Sequence, residues 1–265
     1  MKLLKNKKLL ISVISALVLI AVTFLAWPAR VQMPTHQQQS QKSNGPPSAQ
    51  PTFNKQLYPT DTASSLWVIV NKGRALPSDY VPAQLVVPTV PLRLGSAASE
   101  MHLRSDAAAA MEAMFAAAKT DNISLMLASG YRSYASQKAV YSSYVAQSGQ
   151  AEADTFSARP GFSEHQTGLA ADVEPASRHC EVDQCFADTP EGRWLAANCY
   201  KYGFVIRYQQ NTQQLTGYEY EPWHIRYVGK DLAAQLQSSQ QTLEQFFGLP
   251  AIDDYPAQPL QLKDS

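Results

Sequence analysis

Excess charge of either sign is missing from this sequence. Its 22 Lys and Arg are matched by 22 Asp and Glu, so no net field draws it to nucleic acid. Cysteine is scarce, at three residues, Cys180, Cys185 and Cys199. His179, Cys180 and Cys185 lack a second C-x-x-C half, which ranks a structural zinc site below a disulfide or plain packing. H-E-x-x-H is absent, which excludes the common zincin helix. No lysine has a serine three residues before it, so the S-x-x-K nucleophile arrangement is closed. There are no internal repeats, and long apolar runs are missing everywhere except near residue 20.

What is present is core material. Thirteen Tyr, nine Phe and four Trp in 265 residues supply one substantial domain and exclude disorder of the whole chain. The exceptional apolar run, LLISVISALVLIAVTFLAW from Leu9 to Trp27, follows Lys2, Lys5, Lys7 and Lys8. At about 1.5 Å per residue it matches roughly 30 Å of hydrocarbon, and the lysines place its start in the cytoplasm. Trp27 and Pro28 spoil a small-residue cleavage pattern, so an uncleaved anchor is expected, with a secreted form as the alternative. Gln, Ser, Pro and Gly dominate 30–60, which reads as a linker. The expected division is 1–29 anchor, 30–60 linker, 61–250 folded domain and 251–265 tail, with the domain outside the cytoplasm. Disulfides are permitted there. Cys180 and Cys185 are close enough to pair, though Cys199 could take either place.

Within the domain, LWVIV at 66–70 reads as a strand. Leu103, Ala107, Ala110, Met111, Met114 and Ala118 recur at helical steps. ISLMLAS at 123–129 suits a buried strand, and a helix is expected over 134–147 with Tyr141, Tyr144 and Val145 inward. Residues 148–163 look like loop, and GLAADV at 168–173 like a strand. Thr189 and Pro190 form a helix start, with Gly203 as the stop. FVIRY at 204–208 and HIRYV at 224–228 suit an antiparallel pair, and a last helix is expected over 230–247. Helices first and strands clustering later indicate an α+β domain with a small antiparallel sheet.

Chemistry concentrates in two places. GFSEHQTGLAADV at 161–173 holds Ser163, Glu164, His165, Gly168 and Asp172; EPWHIRYVG at 221–229 holds Glu221, Trp223 and His224. His165, Asp172 and His224 together make two imidazoles and one carboxylate. Three protein ligands with one open position is the pattern of a catalytic zinc. Glu221 then suits a general base beside the metal. The bland alternatives are a His–Asp hydrogen bond and a chance Glu three residues before a His.

SGYRSYASQ, SEHQTGLAAD and EPWH, in that order along the chain, resemble the D-alanyl-D-alanine carboxypeptidase family of zinc peptidases, VanY-like and LdcB-like, over roughly 66–248. The resemblance implies a compact α+β fold, one Zn2+ and a peptidoglycan stem peptide as substrate. By position it places the ligands on His165, Asp172 and His224 and the catalytic carboxylate on Glu221. It places the cation beside the scissile carbonyl on Arg132, and substrate contacts on Ser163, Gln137 and, beside His224, Trp223. Phe162 stands where a small polar residue is common, and the 180–199 region looks particular to this chain. A peptidoglycan endopeptidase and a non-catalytic wall-binding module are the competing readings, and a cysteine nucleophile at Cys199 lacks an apparent base. The sequence leaves oligomeric state and penta- against tetrapeptide specificity open.

Overall fold

The computed structural model describes residues 53–264. The expected anchor and most of the expected linker lie outside the described residues. Among the described residues, no helix is long and apolar enough to cross a membrane.

The strands are β1 (Arg74–Ala75), β2 (Leu85–Val86), β3 (Leu103–Arg104), β4 (Leu125–Ser129), β5 (Ala170–Pro175), β6 (Phe204–Tyr208), β7 (Glu221–Tyr227) and β8 (Leu260–Gln261). The α-helices are α1 (Ser105–Thr120), α2 (Tyr134–Ser148), α3 (Gln150–Phe156), α4 (Pro190–Asn198), α5 (Gln213–Thr216), α6 (Lys230–Ser239) and α7 (Leu243–Phe247). β4, β5, β7 and β6 lie side by side in that order, every pair antiparallel. This is the expected α+β architecture, including the pairing of 204–208 with the strand that carries His224.

Alternation along β5 sorts its side chains. Ala171 and Val173 enter the main core with Met111, Met114, Phe204 and Ile225, while Asp172 belongs to the opposite set. α1 closes over that core because Ala107, Ala108, Met111, Met114, Phe115 and Ala118 form its buried stripe. Truncating Phe204, which is wholly buried, would cost about 3–5 kcal/mol, the transfer energy plus a cavity. A second cluster joins Trp67, Ile69 and Val205 to the inner faces of α6 and α7.

Several local expectations give way. Residues 67–70 are buried and Leu66 is half-buried, but the stretch forms no strand. Their carbonyls go to guanidinium groups instead: Leu66 and Val68 accept from Arg226, and Ile69 accepts from Arg74. Leu103 belongs to β3, so the first helix begins two residues later. α2 buries only Gln137, and Tyr144 is exposed, so the expected inner face of Tyr141, Tyr144 and Val145 is absent. The stretch 148–163 contains α3, which packs on α2. The single helix expected over 230–247 breaks at Gln240, in the left-handed region at φ 54°, and restarts behind a Thr242–Gln245 capping box.

Thr189 caps α4 as expected, its hydroxyl accepting from the Gly192 N–H. A 3-10 turn then carries the chain to Gly203. Both domain edges are wider than 61–250. Phe53 stacks on Trp67 with centroids 5.3 Å apart. β8 pairs with β1, and Leu262 is buried, so the expected tail is part of the fold. Cys180 and Cys185 are disulfide-bonded, and Cys199 is free and buried.

Candidate active site

Register brings the two motifs together. Asp172 on β5 faces His224 on β7 as its cross-strand partner, and Ser129 on β4 faces Asp172 from the other side. His165 arrives from the 3-10 turn Glu164–Thr167. That turn ends at Gly168, whose φ of 68° disfavours any residue with a Cβ. The pairing of β6 with β7 is irregular: Ile206 faces Ile225, yet Tyr208 faces Glu221. Such a bulge re-aims side chains, and it lets Glu221 approach His224 from three residues away, Oε2 to Nδ1 at 3.6 Å.

Both imidazoles are oriented from behind. His165 Nδ1 lies 2.6 Å from the Gly130 carbonyl, which makes Nδ1 the donor and leaves Nε2 as the lone pair facing Asp172 Oδ2 at 3.4 Å. Position 130 itself needs a glycine, since a Cβ there would sit 2.4 Å from the His102 carbonyl oxygen. His224 points Nδ1 at Asp172 Oδ1, 3.2 Å away, and Nε2 at Glu164 Oε2, 3.7 Å away.

Glu164 is the residue the motif spacing did not assign. It is buried, and its Oε1 accepts from Arg207 Nε and from Arg226 Nη1, both at 2.9 Å. Arg207 also grips Glu244 through two bonds, at 3.0 and 2.5 Å, and Asn71 donates to Glu244 at 3.0 Å. Two carboxylates and two guanidinium groups therefore neutralise one another beneath the site, as buried charges must.

Arg132 follows β4. Its Nη1 donates to Gln137 Oε1 at 3.0 Å and its Nη2 to Ser129 Oγ at 2.9 Å, with Asp172 Oδ2 3.9 Å away. Gln137 also donates to the Ala158 carbonyl at 2.7 Å, so its amide fixes Arg132 against the next loop. Arg132, Gln137, Ser163, His165, Asp172, Glu221, Trp223 and His224 all line one cleft of about 530 Å³. Every residue to which the resemblance assigned a ligand, catalytic or substrate-contact role thus reaches the same cavity. Trp223 also packs on the core, and Phe162 sets its ring edge-on to Tyr255, 5.0 Å away. Cys199 lies outside this cavity, its thiol pushed up to about 12 by burial.

The electrostatics follow the geometry. Burial pushes the Glu221 carboxyl up to about 8, with Asp172 adding to the effect. Burial alone would lower His224, but the neighbouring carboxylates of Asp172, Glu164 and Glu221 outweigh it and raise the imidazole to about 9. Burial lowers His165. Burial opposes ionisation of Asp172, yet the two histidines hold it well below the usual carboxylate range.

This donor set fits zinc. One atom each from His165, Asp172 and His224 lies within 4.8 Å of the other two, all three residues buried. Asp172 Oδ1 is buried without a hydrogen-bond partner. His165, Asp172 and His224 would hold the ion, and three protein ligands would leave a position for water or substrate.

Comparison with known proteins agrees. The sequence model of VanY, D-alanyl-D-alanine carboxypeptidase, matches residues 100–230. A Bacillus subtilis (strain 168) protein whose description reads "Putative carboxypeptidase YodJ" is 44% identical over 183 residues, 69% of this chain and 67% of its own length. The solved LdcB LD-carboxypeptidase is 40% identical, with a TM-score of 0.67, and the match covers 76% of this chain and 89% of that one. A mutant of the vancomycin resistance D,D-pentapeptidase VanY, solved in complex with Zn(II), is 30% identical with a TM-score of 0.57, over 69% of this chain and 98% of that one. With ligand set, fold and sequence in agreement, this chain belongs to the VanY D-alanyl-D-alanine carboxypeptidase family and is a zinc-dependent carboxypeptidase.

Proposed function

We propose that the protein hydrolyses the amide before the C-terminal D-alanine of a peptidoglycan stem peptide, using Glu221 as the base. The observation that carries the reading is the position of Glu221. It is buried, 3.6 Å from a ligand nitrogen, and carries no hydrogen bond that would occupy it as a structural residue. Bound zinc supplies Lewis acidity to the scissile carbonyl and lowers the pKa of water. Glu221 takes a proton from the attacking water and returns it to the departing amine of D-alanine. Arg132, fixed by Gln137 and Ser129, aims its guanidinium at the oxygen on which negative charge develops. Ser163 and Gln137 line the side of the cleft that receives the terminal carboxylate, and Trp223 forms part of its wall.

The setting is extracytoplasmic, with residues 9–27 as a membrane anchor and the stretch after it as a tether. The apolar run behind four lysines supports this.

Muropeptides ending in D-Ala-D-Ala, and tetrapeptides ending in a diamino acid followed by D-Ala, are incubated with the zinc-loaded protein. Mass spectrometry reads the products with and without chelator. Loss of one alanine, abolished by chelator, is expected from at least one substrate, and which one it comes from separates D,D- from L,D-activity. Cleavage within a cross-bridge instead would identify an endopeptidase.

A further inference from the structure

The cleft has a wall that the chemistry above does not use. The disulfide between Cys180 and Cys185 closes a short loop, and its successive interior residues Val182, Asp183 and Gln184 line the same cavity as His165, Asp172 and His224. Arg178, Cys180 and Val182 adopt φ values of 61°, 57° and 47°. Left-handed backbone is uncommon outside glycine and exceptional for a β-branched residue, and it persists only where the surroundings over-determine it. Here the crosslink does so, helped by charge. Arg93 bridges Glu174 Oε2, at 3.3 Å, and Glu181 Oε2, at 3.2 Å. Arg178 Nε donates to Glu181 at 2.8 Å, and Asp183 accepts from the Cys185 N–H at 2.9 Å. The result is a held loop that leaves Val182 39% exposed.

Topology fixes where this wall stands. β4 and β5 are antiparallel, with Ser129 facing Asp172 and Leu125 facing Pro175. β4 leaves the sheet past Ser129 into Arg132 and α2, whereas β5 leaves past Pro175 into the disulfide loop. The Arg132–Gln137 wall and the disulfide loop therefore lie toward opposite ends of the strand that carries Asp172.

We infer that the Cys180–Cys185 loop is a specificity-determining wall that holds the stem-peptide residues on the N-terminal side of the scissile amide. The inference rests on the proposed placement of the terminal carboxylate near Arg132, Gln137 and Ser163. Val182 offers an isopropyl group, and Gln184 offers an amide that can donate to and accept from an extended peptide backbone. Such contacts form equally in ground and transition states, so they act on KM and not on kcat.

The test compares two substrates on the zinc-loaded full chain. One is a complete stem peptide; the other is an N-acylated minimal substrate with a single residue before the terminal D-alanine. The variants are Cys180→Ser with Cys185→Ser, which opens the loop, and Val182→Ala with Gln184→Ala, which leaves the disulfide intact. Each is expected to raise KM for the full peptide about five- to tenfold, with kcat within twofold and minimal-substrate kinetics unchanged. If the cysteine variant does not fold, the Val182/Gln184 variant decides alone. Unchanged KM on the full peptide, or an equal loss on both substrates, overturns the inference while leaving the carboxypeptidase reading standing. Wild-type protein that cleaves neither substrate overturns both.

Discussion

Glu164 Oε2 and His224 Nε2 face each other across 3.7 Å, and both are buried without a hydrogen-bond partner among the described residues. Glu164 thereby turns the other imidazole nitrogen, Nδ1, toward Asp172. A carboxylate behind a ligating histidine fixes its orientation and raises its basicity. Glu164→Gln should weaken zinc binding about 10- to 100-fold, read by competition with a chromogenic chelator. Glu244→Gln is the control: it disturbs the same Arg207 cluster without facing His224. Both should lower Tm, because each leaves a buried guanidinium short of a partner. Only Glu164→Gln should release zinc, and equal zinc loss from both would sink the orienting role.

Glu221→Gln separates metal binding from chemistry. The amide keeps the shape of the side chain but cannot take a proton. Zinc content should stay at wild-type level while kcat falls about 10²- to 10⁴-fold. His165→Ala should instead lose the zinc itself. Retained turnover in zinc-replete Glu221→Gln protein would place the base elsewhere.

Arg132 is held at two nitrogens, by Gln137 and by Ser129. A lysine is a point charge without that planar fork. Arg132→Lys should therefore lower kcat about 10²-fold, the scale of losing one oxyanion donor, with a smaller change in KM. A loss confined to KM would make Arg132 a carboxylate anchor.

The candidate ligand set was legible because each motif is local and the motifs together resemble a known family. S-x-H-x-x-G-x-A-x-D places His165 in a tight turn and Asp172 on the strand that follows it. Glu221 and His224 share one strand. Their support was not legible, because Arg207 and Arg226 lie 43 and 62 residues from Glu164, and no spacing rule pairs charges at such range. α3 was missed since QAEADTF shows no apolar period. The 66–70 run misled for the opposite reason: a buried β-branched stretch reads as a strand whether or not a ladder partner exists, and here side chains take its carbonyls.

Cys199 offers a check on the rival nucleophile. It is 3% exposed and its thiol is pushed up to about 12, chiefly by burial. Almost no thiolate forms at pH 8, so iodoacetamide should leave the native protein unlabelled and fully active. Labelling should appear only on unfolding. Native labelling that tracks with loss of activity would reopen a cysteine mechanism.

The loop before Ser163 should carry an acid-sensitive support. Asp154 on α3 accepts from Arg159 at 3.0 and 2.6 Å and from the Tyr141 hydroxyl at 2.7 Å. Burial alone would raise this carboxyl, but the hydrogen bonds from Arg159 and Tyr141, the Arg159 charge and the Lys72 charge together hold it below its ordinary value. A folded pKa below the unfolded one means the stabilisation is complete above about pH 4 and lost as pH falls through the folded value. The Tm gap between wild type and Asp154→Asn should then stay constant from pH 8 to pH 5 and narrow below pH 4. Arg159 also stacks on Tyr255, 4.1 Å from the ring centroid, so the freed guanidinium keeps one contact and the variant should still fold. A gap that persists unchanged into strong acid would show that the Asp154 carboxylate, as an ion, adds nothing to stability.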